Sequence, residues 1–436
     1  MSEREPPVPG PEAGRHALRA LFEQRSVLAS LEALHHSIGD VFQIPLPGFN
    51  PVVLVGPEAN RFVSVTARED LRWRSEGDPV TELLDQGILV TDGEFHDKLR
   101  RSMNPALHKS LLADYQESMW RRTDQVICEW HDGARMDMLV EMRKIALLIF
   151  METLFGVDIT ADMPSIWRAL LRTLAYISPG AWVIFPGIPR PGYAWALQKM
   201  DGYLYRIIAE RRASQNPSGK DLLGLLIASG FNDKLIRDQL LTMLIAGHDT
   251  STALLAWTLS LLGGHPKWMR RIQEEVVGTL GDESPTLEKV EELVSLELVI
   301  KESLRLYPPI HIGNRIAAED LEFGGYRIPA GKRVVYSIYL THRHPAYWER
   351  PADFLPERFG GIQDRQRPHY AYVPFGGGPR NCIGMPFAQV EVKIVLARIF
   401  QTFTLEMTPA DYRKVQPHMG ATLEPRPGVW MRVHRR

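Results

Sequence analysis

The chain has 436 residues, of which 44% are hydrophobic and 24% are charged, the ordinary composition of a globular protein. The formal net charge of -1 gives no general attraction for polyanions, so no nucleic-acid partner is expected. The two cysteines, Cys128 and Cys382, are too few for a disulfide framework and fit a reducing, cytoplasmic compartment.

The longest apolar-rich stretch, residues 240–262, is long enough to span a bilayer. His248, Asp249 and Thr250 stand at its middle, where a charge is costly in hydrocarbon. The stretch is therefore predicted to be a long core helix of a soluble protein without a transmembrane anchor. The N-terminus has no apolar segment of the kind that a signal peptide needs.

Residues 1–15 are polar and rich in proline, and they predict an irregular arm. β-like runs on both sides of Pro47-Gly48 predict a hairpin, and a second hairpin is predicted around Pro329-Ala330-Gly331. Apolar residues at helical spacing predict helices over residues 111–130, 136–154, 165–176, 193–212, 240–262, 267–280 and 383–403, and one ending at Tyr307. Because no linker composition interrupts them, residues 16–436 are predicted to form one helix-dominated domain with a small β part.

The most informative segment is Phe375-Gly376-Gly377-Gly378-Pro379-Arg380-Asn381-Cys382-Ile383-Gly384. Its glycines permit φ > 0 and a close approach of the backbone to a flat ligand. Cys382 precedes a predicted helix, whose positive end favours a thiolate. The alternative reading of Cys382 is an inert buried thiol, and Cys128, which lacks such a context, is interpreted as a core residue.

This segment fits the pattern FxxGxRxCxG at its five fixed positions, and here the chain resembles the cytochrome P450 family. The resemblance extends from about Gly39 to the C-terminus. It implies a triangular, helix-rich fold with a long helix over haem b (iron protoporphyrin IX), and Cys382 as the ligand of the metal. A thiolate in that position favours O–O cleavage. Phe375 is expected to pack on the sulfur side, and Gly384 to clear the edge of the ring.

Ala246-Gly247-His248-Asp249-Thr250-Ser251 matches the acid–alcohol signature of this family. Thr250 can bond back to the carbonyl near Ala246 and open the helix, and Gly247 would leave room for O₂ beside it. Asp249 would relay protons from solvent as a general acid, and Thr250 would hydrogen-bond the dioxygen. The alternative is a polar patch satisfied by packing. His248 is interpreted as a solvent-side or packing residue.

Glu302-Ser303-Leu304-Arg305 matches ExxR, which places the two charged side chains on one helix face. The pattern is weak by itself, but Pro356-Glu357-Arg358-Phe359 follows at the expected distance. The resemblance implies a buried structural ion-pair set of Glu302, Arg305 and Arg358.

The haem propionates need cationic partners. The family resemblance assigns this role to His96, Arg100, Arg315 and Arg380, for each of which a plain surface charge is the alternative. It also implies a substrate pocket lined by Leu83, Ile88, Leu89, Leu244, Ala246, Gly247, Ile310, Ile312, Ala421 and Thr422. Because most of these are aliphatic, a lipophilic substrate is expected, such as a terpenoid, carotenoid, retinoid or fatty acid. The proline-rich loop 178–191 is expected to be its access lid.

The expected activity is O₂-dependent hydroxylation or epoxidation by a monomer. Since the sequence ends soon after the last predicted strands, electrons are expected to come from NAD(P)H through a separate ferredoxin or flavodoxin-type protein. Residues on and near the helix after His96 offer that carrier a basic face, for which a merely solvated surface is the equal alternative: Lys98, Arg100, Arg101, His108 and Lys109. Two other function classes stay open: a haem-thiolate isomerase, dehydratase or peroxygenase without an electron donor, and a haem sensor or carrier.

Overall fold

The structure, a computed structural model, describes residues 4–24, 26–180, 182 and 188–436, without the side chains of Lys109 and Gln363. Its helices are α1 Pro11–Gln24, α2 Val27–Ile38, α3 Pro57–Arg61, α4 Pro79–Leu84, α5 Gly93–Met103, α6 Lys109–Ile127, α7 Met138–Phe155, α8 Met163–Ile177, α9 Ala194–Ala213, α10 Leu222–Ala228, α11 Asp233–Gly264, α12 Pro266–Leu280, α13 Leu287–Glu291, α14 Val294–Leu306, α15 Ile338–Thr341, α16 Ile362–Gln366, α17 Met385–Thr402 and α18 Pro409–Lys414. The expectation of a mainly helical fold is confirmed.

The strands are short and form small sheets. They are β1 Val41–Gln43, β2 Val52–Leu54, β3 Leu71–Arg72, β4 Arg135–Asp137, β5 Ile312–Ala317, β6 Leu321–Phe323, β7 Tyr326–Ile328, β8 Arg333–Ser337, β9 Phe403–Glu406, β10 Gln416–Met419, β11 Leu423–Arg426 and β12 Trp430–Arg435. A five-stranded sheet has the order β1-β2-β8-β5-β3, a three-stranded sheet has the order β4-β12-β9, and β6-β7 and β10-β11 are two-stranded.

The hairpin predicted around Pro47-Gly48 is confirmed, because β1 pairs antiparallel with β2 from Val41–Leu54 to Gln43–Val52. The second hairpin was predicted around the wrong turn. β6 and β7 are joined by Gly324-Gly325, whose φ values of 59° and 78° suit a tight two-residue turn. The Pro329–Gly331 segment instead leads the chain into β8, in the five-stranded sheet.

The expectation of an irregular arm over residues 1–15 is also wrong, since α1 begins at Pro11. Proline suits the first position of a helix because its missing N–H would have no partner there. Helix α1 packs against α2, and its Ala17 joins a buried cluster with Leu28, Leu31 and Leu34.

The long helix α11 is the centre of the fold. Asn232 caps its first turn by accepting a hydrogen bond from the N–H of Leu235, and the helix ends at Gly264, before His265-Pro266. It packs against α7, α9, α14, α17 and β11, and most of its residues from Leu240 to Leu262 are buried. In the described part of the chain, no helix is long and apolar enough to cross a membrane.

Beside this core lies the buried ion-pair set. Glu302 Oε2 accepts a hydrogen bond from Arg305 Nε at 2.8 Å, and Glu302 Oε1 accepts one from Arg358 Nε at 3.1 Å. The Arg305 guanidinium also donates to the carbonyls of His342, Pro351 and Asp353. These bonds fix the segment after α15 onto α14, as the ExxR pattern and the second arginine predicted.

Removing Glu302 is expected to be costly, because two buried arginines would lose their counter-ion. Glu302→Ala should lower the free energy of unfolding by about 3–5 kcal/mol in denaturant titrations. The matched control is Lys301→Ala on the same helix, whose ion pair with Glu297 is partly exposed, and it should cost less than about 1 kcal/mol. Similar losses in the two variants would contradict a special role for the buried set.

Candidate active site

The cysteine loop is closed by its own backbone. The N–H of Cys382 donates to the carbonyl of Phe375 at 2.8 Å, and the N–H of Asn381 donates to the carbonyl of Gly378 at 3.1 Å. Gly376 and Gly378 have φ values of 72° and 64°, which side chains rarely adopt. The loop therefore needs glycine at these positions for its conformation, and Phe375 supports it through its carbonyl.

The sulfur of Cys382 lies in a mixed environment. Burial raises the pKa of the Cys382 thiol, while the N–H groups of Gly384 and Met385 and the positive charge of Arg100 lower it. The residue itself is solvent-accessible, although α17 behind it is largely buried. The backbone and Arg100 thus oppose the cost of an interior thiolate, and the sulfur stays open to a ligand.

Arg100 acts directly on this loop. Its Nη1 donates to the carbonyl of Asn381 at 2.8 Å and its Nη2 donates to Asn381 Oδ1 at 2.9 Å. The side chain therefore points inward, and it is not part of the predicted basic face on α5. Lys98, Arg101 and His108 are exposed, and the side chain of Lys109 lies outside the described residues.

A second group of cations lies beside the loop. The guanidiniums of Arg315 and Arg380 both stack on the ring of Trp73, at 3.0 and 4.4 Å from its centroid. Arg380 pairs with Asp92 at 2.8 Å, and the N–H of Trp73 donates to the same carboxylate. Arg315 is buried, and the side-chain hydrogen bonds that it makes among the described residues go to the carbonyl of Asn314 and the hydroxyl of Tyr336.

Within the described residues, no carboxylate lies within ion-pair distance of Arg315. His96 is buried nearby, and burial together with Arg380 and Arg100 lowers its pKa, against the effect of its hydrogen bond to Asp97. His96, Arg100, Arg315 and Arg380 thus form a group with excess positive charge. The sequence did not point to Trp73 or Asp92, although Asp92, just before α5, could have been noticed as a helix cap.

The acid–alcohol segment makes the predicted Thr250 back-bond, but α11 continues through it from Asp233 to Gly264 without a break, so the expected opening of the helix is not observed. Thr250 Oγ1 donates to the carbonyl of Ala246 at 2.5 Å, and both residues are accessible in a helix that is otherwise mostly buried. The role expected for Gly247 is wrong. A Cβ at this position would lie 2.3 Å from the ring of Phe150, so the glycine is needed for packing against α7 and not for space beside O₂.

Asp249 lies in a different environment from Thr250. Asp249 is buried, accepts a hydrogen bond from Thr422 Oγ1 at 2.7 Å and pairs with Arg143 of α7 at 3.2 Å. Burial raises the pKa of Asp249, and the nearby Glu424 raises it further, whereas Arg143 lowers it. His248 is a packing residue, with Nε2 on the carbonyl of Arg143, and is not on the solvent side.

A further buried acid stands behind Thr250. Ser251 Oγ donates to Glu391 Oε2 of α17 at 2.5 Å, and burial raises the pKa of Glu391 to about 8. Neither Arg143 nor Glu424, nor this contact, was visible from the sequence, because the partners lie more than 100 residues along the chain from Asp249 or Ser251.

The predicted pocket residues divide into two groups. Leu89, Ala246, Ile310 and Ala421 are at least partly accessible, and the segments that carry the other three are linked to α11 directly or through one another. The turn before β11 is bonded to Asp249 and to the carbonyl of Pro309, and the segment before Leu89 is bonded to Gln239. The others are core or packing residues: Leu83, Ile88, Leu244 and Thr422 are buried, Gly247 faces Phe150, and Ile312 packs below α2.

The family model for "Cytochrome P450" matches residues 5–431. The chain belongs to the cytochrome P450 family. It is a cytochrome P450 monooxygenase. Among its relatives, the cyclooctatin synthase of Streptomyces melanosporofaciens is 30% identical, with 95% of this chain and 92% of that protein covered.

Two further relatives belong to this comparison. The cyclooctat-9-en-7-ol 5-monooxygenase of the same Streptomyces species is 32% identical over 88% of this cytochrome P450 and 85% of that protein. The solved structure of retinoic acid bound cyanobacterial CYP120A1 superimposes with a TM-score of 0.86 at 25% identity, covering 99% of this chain and 100% of that one.

Membership of this family implies haem, and the residues present fit it. A porphyrin offers iron to a thiolate and two carboxylates to cations. The structure provides the accessible sulfur of Cys382, the buried and unpaired Arg315, and the His96, Arg100 and Arg380 group around it. We propose that Cys382 holds the iron and that this group receives the propionates.

Arg100 should be needed for haem retention. Arg100→Ala removes two charge-assisted hydrogen bonds to the cysteine loop, and should speed haem transfer to apomyoglobin about 10-fold to 100-fold. Arg101→Ala, at the neighbouring exposed position, is the matched control and should leave the transfer rate nearly unchanged. Equal rates for the two variants would show that the inward contacts of Arg100 do not support haem binding.

Proposed function

We propose that this cytochrome P450 hydroxylates or epoxidises a lipophilic small molecule, with electrons from NAD(P)H delivered by a separate ferredoxin or flavodoxin-type protein. One observation carries the proposal. The cysteine loop and α11 both contact residues 88–92, through Arg380, two residues before Cys382, and Gln239, seven residues before Ala246. This shared contact supports one site between Cys382 and the accessible residues Ala246 and Thr250.

The haem, when bound, supplies the iron that activates dioxygen, and a thiolate ligand favours cleavage of the O–O bond. The protein residues supply the protons that this chemistry needs. Thr250 presents its hydroxyl at the accessible side of α11, where it can hand on a proton. Asp249, the neighbouring residue on α11, has a raised pKa that suits a general acid near neutral pH and can hold that proton.

The substrate class follows from the accessible pocket residues. Leu89, Ala246, Ile310 and Ala421 offer only apolar side chains, so binding must rely on burial of apolar surface. The names of the Streptomyces relatives and the retinoic acid of CYP120A1 support a terpenoid or retinoid, among the lipophilic classes, as the substrate. Six of the 14 residues of the predicted lid, 181 and 183–187, lie outside the described part.

Helix α5 has exposed cations that an acidic electron carrier can contact. Lys98 and Arg101 are exposed there, with Glu94, Asp97 and Phe95 between them, around a shallow depression. The surface is therefore mixed rather than uniformly basic, and it supports a docking role through the arrangement of charges more than through their sum.

The reaction is tested with labelled oxygen. Substrates are first selected by the Soret shift that a terpenoid, retinoid or fatty acid induces in the haem-loaded enzyme. With ¹⁸O₂, NAD(P)H and a ferredoxin–reductase pair, the enzyme should insert one labelled oxygen atom into the product. Cys382→Ser should abolish this product, and Cys128→Ser, the matched control, should retain it.

Two outcomes would overturn the proposal. Product formed with hydrogen peroxide alone, and not with O₂ and reductant, would indicate a peroxygenase. A rearranged or dehydrated product without labelled oxygen and without consumption of NAD(P)H would indicate an isomerase or dehydratase.

A further inference from the structure

A second buried carboxylate lies next to Asp249. The same Nη2 atom of Arg143 donates to Asp249 Oδ1 and to Glu424 Oε1, so one guanidinium nitrogen separates the two acids. Arg143 reaches them from α7, Asp249 from α11 and Glu424 from β11. The side chains of all three are at least nine-tenths buried.

The contacts continue to the surface. Glu424 Oε2 accepts a hydrogen bond from Arg426 Nη2 at 2.8 Å, and the Arg426 side chain is 50% exposed. The accessible fraction thus rises from 2% at Asp249 through 8% at Glu424 to 50% at Arg426. Asp249, Arg143, Glu424 and Arg426 thus form a continuous series of charged groups from the interior to the surface.

Two buried polar atoms near Asp249 support the movement of protons through this region. Arg143 Nε and His248 Nδ1 have no hydrogen-bond partner in the described protein. Buried polar atoms of this kind normally bind internal water, which can carry protons between neighbouring acids. The carboxylate of Asp249 accepts hydrogen bonds from Thr422 and Arg143, and Arg143 links it to Glu424.

We propose that Glu424 is the second carboxylate of the proton-delivery route, which takes protons from the surface near Arg426 and passes them to Asp249. Only protons move in this step. Glu424 binds one from solvent, transfers it to Asp249 beside Arg143, and is protonated again from the surface. The inference rests on the proposed role of Asp249 as the proton donor for Thr250.

The rival route uses another buried acid. Glu391 of α17 is bonded to Ser251, beside Thr250, and could supply protons from the opposite side of α11. Six charged or titratable groups surround Asp249 or its neighbours: Arg143 on α7, His248 on α11, Glu391 on α17, and His418, Glu424 and Arg426 on the β10–β11 hairpin. The geometry favours Glu424 because it alone among the acids shares Arg143 with Asp249.

The sign of the pH effect follows from the charges. The negative charge of Glu424 raises the pKa of Asp249, and Arg143 lowers it. Glu424→Gln removes the first effect and leaves Arg143 entirely to Asp249, so the pKa of Asp249 should fall, by on the order of one pH unit. Since only the protonated acid can donate, product yield per NAD(P)H should then decline at a lower pH than in the unaltered enzyme.

The decisive experiment compares Glu424→Gln, Glu391→Gln, Asp249→Asn and Glu141→Gln. The last is the matched control, because Glu141 is also a buried acid of α7 but bonds Trp130 and Lys144 instead. Two measurements are made on the holoenzyme: the pH dependence of product yield per NAD(P)H, and the pH titration of the infrared carbonyl band that Asp249→Asn removes. The second does not depend on turnover.

We expect Glu424→Gln to shift both titrations to lower pH and Glu141→Gln to shift neither. If Glu391→Gln shifts the yield curve and Glu424→Gln does not, the proposed route is wrong. If Asp249→Asn leaves the yield unchanged, the role of Asp249 itself fails, which is distinct from failure of the Glu424 step alone. An unmoved infrared band in correctly folded Glu424→Gln would also overturn the proposal.

Discussion

The proposed haem site depends on keeping the sulfur of Cys382 anionic. Burial disfavours the charged form of Cys382 and raises its pKa overall, and the cost is partly offset by groups that approach it from two directions. The N–H groups of Gly384 and Met385 come from its own chain, whereas Arg100 comes from α5 and also binds Asn381. Three features together favour the thiolate of Cys382: the glycine-rich loop, the position of α5 and the start of α17.

How well the sequence predicts the site depends on the distance between partners along the chain. The cysteine loop, the Thr250 back-bond and the Glu302–Arg305 pair are local, so the order of residues nearly determines their geometry. The clamp of Trp73 on Arg315 and Arg380, and the contact of Arg143 with Asp249, join segments far apart. The spacing of apolar residues along the sequence does not indicate such contacts. The second hairpin was misplaced because Gly324-Gly325 and Pro329–Gly331 are both good turn sequences.

Gly247 shows why a motif can be located correctly and one of its residues explained incorrectly. Gly247 was expected to make room for O₂, yet it makes room for Phe150, which lets α7 pack closely against α11. That close packing brings Arg143 to Asp249. The two neighbours on α11 therefore divide the work: Thr250 serves the accessible side, and Asp249 serves a buried polar network that leads to β11.

The most direct test of the account is the Soret spectrum of the reduced, carbon monoxide-bound enzyme, because it reports the ligand opposite the gas. We expect the strongly red-shifted band of a thiolate ligand in the unaltered protein and in Cys128→Ser, and its loss in Cys382→His with haem still bound. A band typical of a nitrogen or neutral thiol ligand in the unaltered, fully loaded protein would contradict the central claim that Cys382 binds the iron as a thiolate.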